Sequence, residues 1–104
     1  MRVPEEVTVE DESGTIVVCP EGELDLAAAD AFRTALQDAL RRARRAVQVD
    51  LAAVTFIDST ALAVLVDAWR QAEERDVTLC VLHPAPNVRR VLDITGLDRL
   101  LCPG

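Results

Sequence analysis

One apolar run, broken by small polar residues and resumed with a different period, constrains this chain more than any other stretch. Val54-Thr55-Phe56-Ile57 reads as a buried strand, and Leu62, Leu65, Val66 and Trp69 then recur at i, i+3, i+4 and i+7, which predicts a helix from about Ser59 to Arg75. Between them, Asp58-Ser59-Thr60 forms a polar elbow. The junction puts Ser59 at a helix N-terminus, where unpartnered N–H groups and the positive end of the dipole favour an oxyanion or a phosphoryl group. Asp58 or Ser59 also suits the N-cap, worth about 1 kcal/mol, and capping and phosphorylation are compatible.

The rest of the chain repeats the alternation of strand and helix. Met1 to Glu6, polar and carrying Pro4, reads as a tail, and Val7, Val9 and Thr15 to Cys19 form a hairpin turning at Ser13-Gly14. Asp25 is a candidate N-cap for a helix whose apolar positions are Leu26, Ala29, Phe32, Leu36 and Leu40. Val47 to Leu51 is a short strand. Val77 to Leu82 is nearly continuously apolar, the pattern of a strand covered on both faces, and is expected at the sheet centre. Asn87 is placed to cap a short helix carrying Val88, Val91, Leu92 and Ile94, with Gly96 at its C′ position. Leu97 to Cys102 is a helical turn or an edge strand. This order predicts one α/β domain over residues 1–104, an N-terminal hairpin and then β-α-β crossovers, with about four helices on a mixed sheet.

Composition narrows the partners. A net charge of -7 opposes phosphate backbones and anionic lipid, so nucleic acid is excluded, and no apolar stretch approaches the ~18 residues of a membrane span. The basic residues are all Arg, and Arg41, Arg42, Arg44 and Arg45 read as a solvated helix C-terminus or, alternatively, a patch for an acidic partner. Cys19, Cys80 and Cys102 are odd in number and widely spaced. With a single histidine they indicate neither a disulfide framework nor a zinc site, and the expectation is three reduced, mostly buried thiols in a cytoplasmic protein. No metal and no cofactor is expected.

On the elbow helix the wheel leaves Thr60, Ala63, Asp67, Arg70 and Gln71 toward solvent, with Ala63 and Val64 at the border of a small, smooth surface beside Ser59. A partner's backbone can approach such a surface closely.

The string from Val54 to Leu65, preceded by Gly22-Glu23-Leu24-Asp25 and Val49-Asp50-Leu51, resembles the bacterial anti-sigma factor antagonists, which are stand-alone STAS domains. The resemblance spans about Val7 to Leu101. It implies partner switching: the unphosphorylated antagonist binds an anti-sigma factor that is also an ATP-dependent serine kinase of histidine-kinase-like fold, and a sigma factor is freed. It further implies phosphorylation at Ser59, reversal by a serine phosphatase, and Asp25 and Asp58 at the partner surface; the helical wheel adds Thr60, Ala63, Val64 and Asp67 to that surface, and a core that needs no second copy to be buried points to a monomer. The chain departs from the family pattern at Ala61 and Ala63, where glycine is usual. Alanine favours the helix by about 0.8 to 1 kcal/mol per site, but each methyl is expected to thicken the docking surface.

Two other functions compete. A constitutive STAS docking subunit of a lipid ABC transporter or signalling assembly would tolerate those alanines. A serine hydrolase would need a base, and His83 lacks both a GxSxG elbow and a clear orienting acid, so no catalytic residue is assigned.

Overall fold

The computed structural model describes residues 7–10 as backbone and 13–103 with their side chains. The expected tail Met1 to Glu6 lies outside the described residues, as do Asp11 and Glu12 in the approach to the first turn. The elements run β1 (Val7–Glu10), β2 (Thr15–Cys19), β3 (Gly22–Leu24), α1 (Ala29–Arg42), β4 (Ala46–Asp50), β5 (Val54–Ile57), α2 (Ser59–Glu74), β6 (Thr78–Leu82), α3 (Pro86–Ile94) and a 3-10 turn, Asp98–Leu100.

Four strands form one sheet in the order β1-β2-β4-β6, and β3 and β5 form a separate parallel pair. β1 and β2 are antiparallel, the hairpin read from Ser13-Gly14, while β2, β4 and β6 are mutually parallel. Parallel register aligns two buried rows across the sheet, Ile16-Val47-Leu79 and Val18-Val49-Val81, none more than 3% exposed. α1 and α2 pack on each other and on β2 and β6, so both cover that face, and Phe32, Leu36, Leu40 and Leu65 fill the interface.

Gly14 shows why the first turn needs glycine. Its φ of +89° is one that L side chains avoid, and a Cβ there would meet Arg44 Cβ at 3.0 Å. The Gly14 carbonyl accepts the N–H groups of Arg44 and Arg45, tying the end of α1 to the hairpin. The arginine cluster is a solvated helix end at Arg41 and Arg42, both on Asp38 at 3.3 and 3.2 Å.

Four expectations need correction. β6 is not central: it ends the strand order, and its apolar run reflects cover on both faces, with Leu79, Cys80 and Val81 all buried. Its outer flank carries a parallel bridge from Leu101 to Val81, so Leu97 to Cys102 supplies both a helical turn and an edge segment. α1 starts at Ala29, after a turn, and Leu26 is 74% exposed instead of belonging to the helix's apolar face. Asn87 does not cap α3: Pro86 takes the first helical position and the Asn87 amide donates to the Thr55 carbonyl at 2.8 Å, pinning α3 to β5. Among the described residues the α-helices number three, with the 3-10 turn as a fourth helical element.

The cysteine expectation fails at two of three residues. Cys80 and Cys102 are joined in a disulfide, and Cys19 alone is free. Sequence spacing gave no hint because the partners meet only through the fold, with their Cα atoms 4.8 Å apart once Leu101 docks on β6.

Candidate functional site at the strand-to-helix elbow

The site is built where β3 and β5 end together. Leu24 and Ile57 are register partners, and Asp58 N–H donates to the Leu24 carbonyl at 3.1 Å, so Asp25 and Asp58 leave neighbouring strands side by side. A bulge between Gly22 and Glu23, with Gly22 at φ +78°, sets that alignment.

Asp58 is the N-cap of α2. Its backbone is extended and its carboxylate accepts the Ala61 N–H at 3.0 Å, satisfying the third orphan donor of the helix. Ser59 therefore occupies the first helical position. It is exposed, and its hydroxyl forms no hydrogen bond among the described residues. The N–H groups of Ser59 and Thr60 remain at the positive end of a 16-residue helix, a setting that tolerates added negative charge.

From Ser59 an exposed stripe runs along α2 through Ala63, Asp67 and Arg70, with Thr60 and Val66 half-buried beside it. Val64, expected at the edge of the partner surface, is only 2% exposed. The wheel reading assumed that α2 buries one stripe on the sheet. In the fold it also packs on α1, which widens the buried arc to include Ala61, Val64 and Ala68. Val64 and Ala68 face Leu36 in a shallow groove rimmed by Arg33, Gln37, Asp67 and Gln71. The two alanines differ for the same reason. Ala63 presents its methyl to solvent, but Ala61 is fully buried, so only one of them thickens the surface as expected.

Sequence reading missed Phe56 and Leu26 as surface features. Phe56, taken for a core residue, is 46% exposed on β5, and Leu26 follows Asp25 on the turn. Exposure on a two-stranded pair with one open side is not visible in a hydrophobic run.

His83 stands apart from the elbow. Its Nδ1 lies 3.4 Å from Asp50 Oδ1, which also accepts the Ala52 N–H, and no hydrogen bond joins it to Ser59 among the described residues. Among the described residues no group of three or more His, Cys, Asp or Glu side chains could hold a metal ion, and no helix is long and apolar enough to cross a membrane.

A parallel-centred sheet with two helices on one face and an Asp-Ser elbow starting the second defines a STAS domain, and residues 7–102 match the family model described as Mlab, STAS domain. The chain belongs to the STAS domain family and, within it, groups with the anti-sigma factor antagonists. It is 32% identical over 93 residues to the anti-sigma-F factor antagonist RsfB of Mycobacterium tuberculosis, covering 89% of this chain and 75% of that protein. The structure of an anti-sigma factor antagonist from Mycobacterium paratuberculosis matches with a TM-score of 0.77 at 30% identity, over 93% of this chain and 83% of that one. The Bacillus cell fate determinant SpoIIAA in its phosphorylated form shares the fold, with a TM-score of 0.72 at 22% identity over 96% and 91% of the two chains.

Proposed function

We propose that this chain is an anti-sigma factor antagonist: with Ser59 unmodified it binds an anti-sigma factor through the elbow surface and frees a sigma factor, and phosphorylation of Ser59 ends the binding. The observation that carries the reading is the exposed Ser59 hydroxyl on the first turn of α2, with Asp25 and Asp58 beside it. The relatives named above support it, being anti-sigma factor antagonists by name. The partner surface is Asp25, Asp58, Ser59, Thr60, Ala63 and Asp67, with Val64 contributing from beneath through packing.

The switch is electrostatic. Phosphate adds about -1.5 to -2 charges, which the helix N-terminus accommodates, so the fold persists. The same charge beside two carboxylates must be desolvated when a partner docks, and a like-charge clash of ~2.7 kcal/mol weakens binding about a hundredfold. The protein acts as a one-domain cytoplasmic monomer, a phosphoacceptor and not an enzyme. Its kinase is the anti-sigma factor, of histidine-kinase-like fold, and a serine phosphatase restores it.

The test is transfer from ATP and magnesium by a cognate anti-sigma kinase to wild type and to Ser59→Ala, mapped by mass spectrometry. Label on Ser59 supports the proposal, and label that persists in Ser59→Ala removes that residue from the role.

A second reading, a constitutive docking subunit of a lipid ABC transporter, is favoured by the description of the matched family model, Mlab, and by the exposed Ala63 methyl. Recovery of a transport ATPase with the tagged protein, and no phosphate on Ser59, would decide for it.

A further inference from the structure

The bonded cysteine pair lies away from the elbow and bears on a separate property, independent of the functional reading. Cys80 is 8% exposed in β6, Cys102 is half-buried after the 3-10 turn, and their bond closes a loop of separation 22 that holds α3 and the 3-10 turn. Apart from the bond a limited set of contacts fastens this segment, with Val91, Leu97 and Leu101 packing partly buried against the core. Val88, Leu92 and Leu100 are its buried residues, while Arg89, Arg90, Asp93, Ile94 and Thr95 are exposed. Its polar ties are Asn87 to the Thr55 carbonyl, the Arg99 guanidinium 5.0 Å over the Trp69 ring, and Cys102 N–H to the Val81 carbonyl at 2.9 Å.

The pair has no rival inside the molecule. Register places Val17, Gln48 and Cys80 across β2, β4 and β6, so Val17 is two strand spacings from Cys80, ~9.6 Å, and Cys19, two residues further along β2, is more distant still, beyond the ~7 Å within which cysteine Cα atoms can be bridged. Burial, and then the charges of Asp50 and Glu21, push the Cys19 thiol up, which further weakens it as an attacking group. Exchange must come from outside, and Cys102 borders an open cleft lined by Leu82, His83, Arg89 and Leu101.

We propose that Cys80–Cys102 is a thiol–disulfide exchange site through which a dithiol reductant releases the α3 and 3-10 segment. One thiolate of the dithiol attacks Cys102 Sγ; the Sγ–Sγ bond breaks and Cys80 leaves as a thiolate that takes up a proton. The second thiol then attacks the reductant's own sulfur in the mixed disulfide, freeing Cys102 as a thiol. Two electrons and two protons pass from the dithiol, which ends as a disulfide. Opening the loop returns chain entropy to the detached segment, so its local unfolding becomes easier.

Maleimide labelling and hydrogen exchange of the purified full chain, before and after dithiothreitol, test this. The expected result is one labelled cysteine, Cys19, before reduction and three after, with amides of residues 86–101 exchanging on the order of a hundredfold faster once reduced and β4 unchanged. Cys102→Ser should exchange fast in both conditions. Three reactive thiols in the air-oxidised protein, or equal exchange at 86–101 in both states of the wild type, overturns the proposal without reference to the variant.

Discussion

Asp25 and Asp58 leave adjacent parallel strands in register, and each carboxylate accepts the N–H three residues on, Ala28 at 3.2 Å and Ala61 at 3.0 Å, yet only Asp58 begins a helix. The backbone carbonyls account for the difference. Asp58 C=O receives Leu62 N–H, the first i to i+4 bond of α2, whereas Asp25 C=O receives the same Ala28 N–H that its side chain holds, closing a turn. α1 then starts from Ala28, which has no side-chain acceptor to offer. A capping carboxylate thus stabilises a helix start that the backbone has already chosen. The consequence for the surface is direct: Asp58 is committed to holding Ser59 at the first helical position, while Asp25 keeps a half-buried carboxylate on the turn that leads into α1.

The contrast can be broken in several ways. Ser59→Asp should weaken binding to a cognate anti-sigma factor about a hundredfold, with Ser59→Ala near wild type, by isothermal titration. Thermal midpoints within a few degrees of each other would confirm that both variants fold; equal affinities would separate the elbow from partner choice. Next in size is Ala61→Gly, which loses helix propensity and a buried methyl and should cost roughly 1.5 to 2 kcal/mol in urea, against about 0.8 to 1 for the exposed Ala63→Gly. Only Ala63→Gly is expected to alter partner affinity, and a binding change in Ala61→Gly alone would reverse their roles.

Asp58→Ala should destabilise by about 1 kcal/mol through loss of its cap, and Asp25→Ala by under about 0.5, since Ala28 N–H keeps its backbone acceptor. Equal costs in denaturant titrations would mean that the two acids are equivalent after all. The smallest effect concerns Cys19. Its thiol sits above its ordinary 9.0, because of burial first and then Asp50 and Glu21, so the folded state holds the proton more tightly than the unfolded chain. That stabilisation is complete below the unfolded pKa and is lost as pH rises through the folded one. Wild type should therefore lose stability relative to Cys19→Ala as the pH is raised above about 9, in paired urea melts.

How far the chain could be read from its letters depended on whether a pattern is local. The elbow is local: strand, acid and helix follow one another within twelve residues, and β5, Asp58 and α2 fall where the periodicity puts them. Gly14 and Gly96 are local too, each at a positive φ in the turn expected of it. Val64 was misplaced because its burial depends on α1, a neighbour distant in sequence. The position of β6 depends on strand order, which an apolar run does not encode. Cys80 and Cys102 are brought together by a single bridge, Leu101 on Val81, between elements that no motif connects. Sequence reading placed Asp25 and Asp58 together by resemblance; register supplies the physical cause.

That same bridge has a consequence for self-association. An outermost strand with free amide and carbonyl groups is a template for another molecule's backbone, and β6, apolar through Leu79 to Val81, would be an adhesive one. Leu101 and Cys102 occupy its flank, and Pro103, which has no N–H to donate, follows at once. A foreign strand must evict this short guard before it can add to the sheet at β6.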